Sequence, residues 1–112
     1  MTPKQWIENV VEFGPMVNDP SPMYRPQIHH VVGRKGKHNK TLIGPWFILY
    51  LPWRYHDVAS NDPLNVTHWK HEFTDAFGLQ SKLFAQRVEL IHNAGLEIPD
   101  KSILDAIADT GI

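Results

Sequence analysis

At 112 residues the chain has room for one domain, and its 12 aromatic side chains give enough bulk for a small core. It has no cysteine, which excludes disulfides and thiolate metal sites. No apolar run reaches the length of about 18 residues that a transmembrane helix requires. The opening residues, Met1-Thr2-Pro3-Lys4-Gln5-Trp6, carry no apolar signal core, so a cytoplasmic protein is expected. The net charge of −1 conceals an asymmetry. No Asp or Glu lies between Pro20 and His56, whereas Arg25, Arg34, Lys35, Lys37, Lys40 and Arg54 all do.

The first predicted element is a helix over 6–13, where Trp6, Ile7, Val10, Val11 and Phe13 fall near one face and Gly14-Pro15 ends the run. Four prolines, at 15, 20, 22 and 26, then predict an extended connector. Gln27–Val32 reads as a strand, Gly33–Asn39 as a basic loop, and Trp46–Leu51, rich in aromatic and branched residues, as a second strand. Together they suggest an antiparallel ribbon. Asn61-Asp62-Pro63 is a turn or cap signal, and Asn65 or Thr67 is placed to cap a helix running through Phe77, with Gly78 at its exit. Leu79–Asn93 carries an apolar stripe of Leu79, Leu83, Phe84, Val88 and Ile91, and Gly95 closes it. Beyond Pro99, the residues Ile103, Leu104 and Ile107 form a last short amphipathic helix.

Histidines carry the chemistry. Six of the seven lie from His29 to His71, and His29-His30 falls within the first predicted strand. Adjacent strand residues face opposite sides, so one ring of the pair can bind a metal while the other meets substrate as a general base. The pair sits inside the acid-free basic stretch, which suits a phosphate backbone. Phosphodiester hydrolysis needs an activated water, a cation at the phosphate and stabilisation of the leaving oxygen. A histidine base and a divalent ion supply the first and last. Arg34 and Arg54 are the natural phosphate clamps.

The strings His-His-Val-Val-Gly-Arg, Trp-Phe-Ile-Leu-Tyr-Leu-Pro and Arg-Tyr-His, set on a strand, loop, strand and helix, resemble the HNH nucleases. These are also called ββα-metal or His-Me finger nucleases, and the likeness is to a branch similar to the recombination-enhancing phage nucleases. It spans roughly Ile28 to Phe77. The resemblance implies that His29 binds a divalent metal and that His30 activates water. It makes Asn39 a candidate to orient that base, and His56 the closing metal ligand. For a third ligand Asp62, His68 and His71 all remain open. The chain departs from the family in lacking the cysteine pairs that often staple HNH loops with zinc. Trp and Phe packing around the second strand is expected in their place.

The expectation is thus a small α+β domain covering 1–112. Its ββα-metal core, an antiparallel ribbon plus helix, would cover about 27–78, with further helices over 79–110. The expected activity is metal-dependent DNA cleavage with catalytic His30, Arg34 and Asn39 and metal ligands His29, His56, His68 and Asp62. Arg34, Lys35, Lys37, Lys40 and Arg54 would bind nucleic acid. One divalent ion, magnesium, manganese, zinc or nickel, would serve as cofactor. A homodimer is the simplest way to cut both strands, and the host cytoplasm is the expected location for a phage protein. The alternative is an inactive HNH-like phage regulator that binds DNA or protein, and a third reading is a zinc-stabilised structural module. None of these involves a membrane.

Overall fold

Thr2 starts the first helix, α1 (Pro3–Glu12), in the computed structural model, which describes residues 1–112. Its hydroxyl accepts the Gln5 N–H at 3.2 Å, and the Gln5 side chain accepts the Thr2 N–H at 2.7 Å. This reciprocal cap, with Pro3 behind it, places the start three residues ahead of the hydrophobic run that suggested it. Trp6 and Val10 are fully buried. The proline-rich connector then runs beside the sheet, where the Met16 N–H donates to the Tyr50 carbonyl at 2.8 Å.

The expected ribbon is present. Strand β1 (Gln27–His30) pairs antiparallel with β4 (Ile48–Leu51), His29 opposite Leu49 and His30 opposite Ile48. Both strands are shorter than their apolar runs. The residues between them are not a plain loop: β2 (Lys37–His38) and β3 (Thr41–Leu42) form a second, small hairpin. Its two turn residues, Asn39 at φ 49° and Lys40 at φ 69°, are both left-handed, as a type I′ turn demands. The hairpin folds back tightly on its stem, where the Ile43 and Gly44 N–H groups both donate to the Gly36 carbonyl at 3.0 and 2.9 Å. A side chain at Gly44 would collide with the Gly33 carbonyl.

After Pro52 comes a single helical turn, α2 (Trp53–His56), too short to leave a periodic signal. The helix expected from Asn65 or Thr67 begins later, as α3 (Lys70–Phe77). Buried Asn65 accepts the Thr67 and His68 N–H groups, capping a separate turn, while its amide donates to the Arg54 and Asp57 carbonyls at 3.0 and 2.9 Å. Gly78, at φ 94°, ends α3 as expected. The chain closes with α4 (Gln80–Asn93) and α5 (Lys101–Asp109).

The result is an α+β fold of five helices and two small antiparallel sheets around one core. Phe84 of α4 lies edge-on to both Trp6 and Phe47, with ring centroids 5.9 and 5.5 Å apart. Ile48, Leu49 and Leu51 of β4 are fully buried beside them. Arg87 is buried too, and its guanidinium donates to the carbonyls of Val10 at 2.6 Å, Gly14 at 2.7 Å and Pro15 at 3.4 Å. It thereby ties the end of α1 to α4. No helix is long and apolar enough to cross a membrane.

Candidate functional site: two histidines in an open cleft

The alternation of β1 puts Gln27, His29 and Val31 along one wall of a cleft of about 450 Å³. The end of α2 supplies His56 and Asp57 to the opposite wall, the α3 approach supplies Thr67 and Lys70, and the first residue of α4 supplies Gln80. The His29 and His56 rings meet across it, centroids 5.0 Å apart at an interplanar angle of 58°.

Each ring is held by a glutamine. The Gln27 amide donates to Asp57 Oδ2 at 2.8 Å, which turns its oxygen toward His56; the His56 Nδ1–H donates to that oxygen at 2.6 Å. His56 Nε2 is left as the nitrogen with a free lone pair. Across the cleft, His29 Nε2 donates to Gln80 Oε1 at 3.0 Å, which leaves Nδ1 as the acceptor nitrogen. The Thr67 hydroxyl donates to the His56 carbonyl and pins the end of α2. Asp57 thus orients His56 through Gln27 rather than by direct contact.

Burial favours the neutral form of both imidazoles. His29 is pushed down to about 4, first by desolvation, then by the charge of His56, against the opposing hydrogen bond to Gln80. Desolvation also lowers His56, partly offset by Asp57. Asp57 is itself held below the usual carboxylate range by its hydrogen bonds from Gln27 and the Ala59 N–H.

The remaining expected site residues are dispersed. His30 lies on the opposite face of β1 and does not line the cleft. It is lowered by burial, by nearby Arg34 and by His56. His29, His38, His56 and His68 hydrogen-bond through their rings, whereas His30 is free to meet a water. Arg34, Lys35, Lys37 and Lys40 are exposed on the hairpin region.

Four of these residues are engaged by partners elsewhere in the fold. Asn39 does not orient His30: it is a turn residue whose amide donates to Asp109 at 3.3 Å, beside the His38–Asp109 ion pair at 2.9 Å. His68 turns to the Val58 carbonyl at 2.8 Å. Asp62 accepts the Leu64 N–H at 2.9 Å and lies 3.8 Å from Arg54. Arg54 is drawn away from the cleft by Asp19 at 3.1 Å and the Ser21 carbonyl at 2.7 Å. Conversely, Gln27, Gln80 and Lys70 escape sequence reading. Only Gln27 carried a signal, its i−2 position from His29 on a predicted strand.

No group of three His, Asp or Glu side chains converges in the structure. The pair His29 and His56 nevertheless offers donor atoms a divalent metal accepts, because the rings lie 5.0 Å apart between centroids and each keeps one nitrogen that its glutamine does not engage. Such an ion would complete its shell with water and phosphate oxygens. No family model, curated protein or solved structure matches the chain.

Proposed function

We propose that the chain is a metal-dependent endonuclease of the ββα-metal type that hydrolyses DNA phosphodiester bonds. The observation that carries this reading is the apposition of His29 and His56 at 5.0 Å, with His30 free on the adjacent strand position. One divalent ion held by His29 and His56 would supply Lewis-acid stabilisation of the phosphate and of the leaving oxygen. Gln27 and Gln80 fix the two rings, so the unprotonated nitrogens are presented without reorientation. His30, at the end of the same strand and near enough to His56 for that ring's charge to lower it, is kept neutral near pH 7 by burial and by Arg34 and would accept the proton of the attacking water at the rim of the cleft. The water oxygen bonds to phosphorus as the P–O3′ bond breaks, and the departing oxygen takes a proton from solvent. Arg34 neutralises phosphate charge beside the base, and Lys35, Lys37 and Lys40 on the exposed hairpin hold the backbone.

The proposed setting is a phage-encoded protein in the host cytoplasm, with a homodimer as the simplest way to cut both strands. Nicking of supercoiled plasmid with magnesium, manganese, nickel or zinc is the test, with excess chelator as the control. His30→Ala is expected to lower the rate by about 10²–10⁴ while DNA binding persists. Equal cleavage in chelator, or full activity of His30→Ala, would overturn the mechanism. A second reading draws on the commitment of Asp62 and His68 to other partners. Salt-dependent binding with no nicking under any of these metals would favour that binding-only regulator.

A further inference from the structure

Lys70 is the one lysine or arginine whose side chain lines the cleft, and sequence reading did not single it out. It is exposed, and it takes no part in the ion pairs of the structure, which use Arg54, Lys101, His38, His71 and the N-terminus. It also occupies the first position of α3, where the helix dipole disfavours a positive charge and no side chain caps the helix. It shares that cleft lining with His29 and His56. The other expected clamp, Arg54, is held by Asp19 and Ser21.

We infer that Lys70 is a phosphate-contacting residue of the cleft, flanking His29 on one face of β1 as Arg34 flanks His30 on the other. The inference rests on the nuclease reading for the identity of the ligand, a DNA phosphodiester. Because the two histidines project to opposite faces of one strand end, the two cations would grip the nucleic-acid strand on both sides of β1. Lys70 would then neutralise charge next to the metal-binding pair, in a place the basic hairpin does not occupy.

The test compares wild type with Lys70→Gln, Lys70→Arg and, as a control outside the cleft, Lys82→Gln. Binding of a short DNA duplex is measured against salt in chelator, and plasmid nicking is measured with metal. Lys70→Gln is expected to reduce the salt slope by about 0.9 and to slow nicking by at least about tenfold. Lys70→Arg should restore most of both, and Lys82→Gln should match wild type. Lys70 is exposed, so unchanged melting of Lys70→Gln is expected and separates the effect from misfolding. If wild type nicks DNA and Lys70→Gln matches it in slope and rate, the Lys70 assignment falls and the nuclease reading stands. If wild type binds but never nicks, the nuclease reading falls, and the slope alone still decides Lys70. Wild type that fails to bind DNA at any salt would overturn both.

Discussion

His29 combines burial with an opposing imidazole, and it is held down to about 4. In an unfolded chain a histidine titrates near 6.5. Between these two values the unfolded state binds the extra proton, so stability rises with pH across that window and is lost as pH falls from 6.5 toward 4. His30 and His56 are lowered as well and act with the same sign. The loss assigned to His29 is at most about 3 kcal/mol. Urea midpoints of metal-free protein at pH 7.5, 5.5 and 4 should therefore decline, and His29→Gln should make the decline shallower. Identical slopes for the two proteins would show that His29 does not carry the penalty.

The β2–β3 hairpin places a lysine where backbone geometry favours glycine. Lys40 stands at φ 69° in the type I′ turn, so Asn39-Lys40 is a strained version of the Asn-Gly pair such turns prefer. Lys40→Gly should raise stability by roughly 1 kcal/mol, seen as a higher melting temperature. The same change removes a cation from the proposed DNA-binding hairpin, and the salt slope of binding should drop by about 0.9. A more stable protein with an unchanged slope would mean that Lys40 does not touch phosphate. Lower stability would show that Lys40 makes a contact worth more than the turn strain. The hairpin is also anchored at its tip, where His38 and Asn39 both meet Asp109 at the end of α5. Its orientation is thus set by a helix about seventy residues further along the chain.

Over the whole molecule, Arg87 connects the N-terminal helix and the proline-rich connector to α4, whose first residue, Gln80, supports His29. Arg87→Met retains much of the buried apolar stem but leaves the Val10 and Gly14 carbonyls without their donor. The expected cost is roughly 3 kcal/mol of unfolding free energy. Chemical denaturation should detect this as a lower midpoint with an unchanged slope. A variant as stable as wild type would show that water replaces the guanidinium at those carbonyls. The aromatic cluster of Trp6, Phe47 and Phe84 would still hold the core, so the loss should fall on stability rather than on the architecture.

Local pattern was enough to place a strand through His29-His30, the apolar stripe of α4 and the exit at Gly78. These features follow from backbone periodicity and sterics within a few neighbouring residues. The acid-free basic stretch was equally plain, because charge composition needs no fold. The helix start at Thr2 lay outside the predicted span of 6–13, because the apolar run carries no trace of the Thr-x-x-Gln cap that sets it. The single turn of α2 and the two-residue strands of the hairpin were too short to generate a period. Side-chain partnership needed the tertiary structure. His29 meets Gln80 across 51 residues of chain and His56 meets Gln27 across 29, while Arg54 is captured by Asp19 and Lys70 arrives at the cleft. None of these has a local signature, since each depends on how separate elements pack. The sequence by itself therefore determined which kinds of chemistry the chain holds, and packing decided which side chains stand together to perform it.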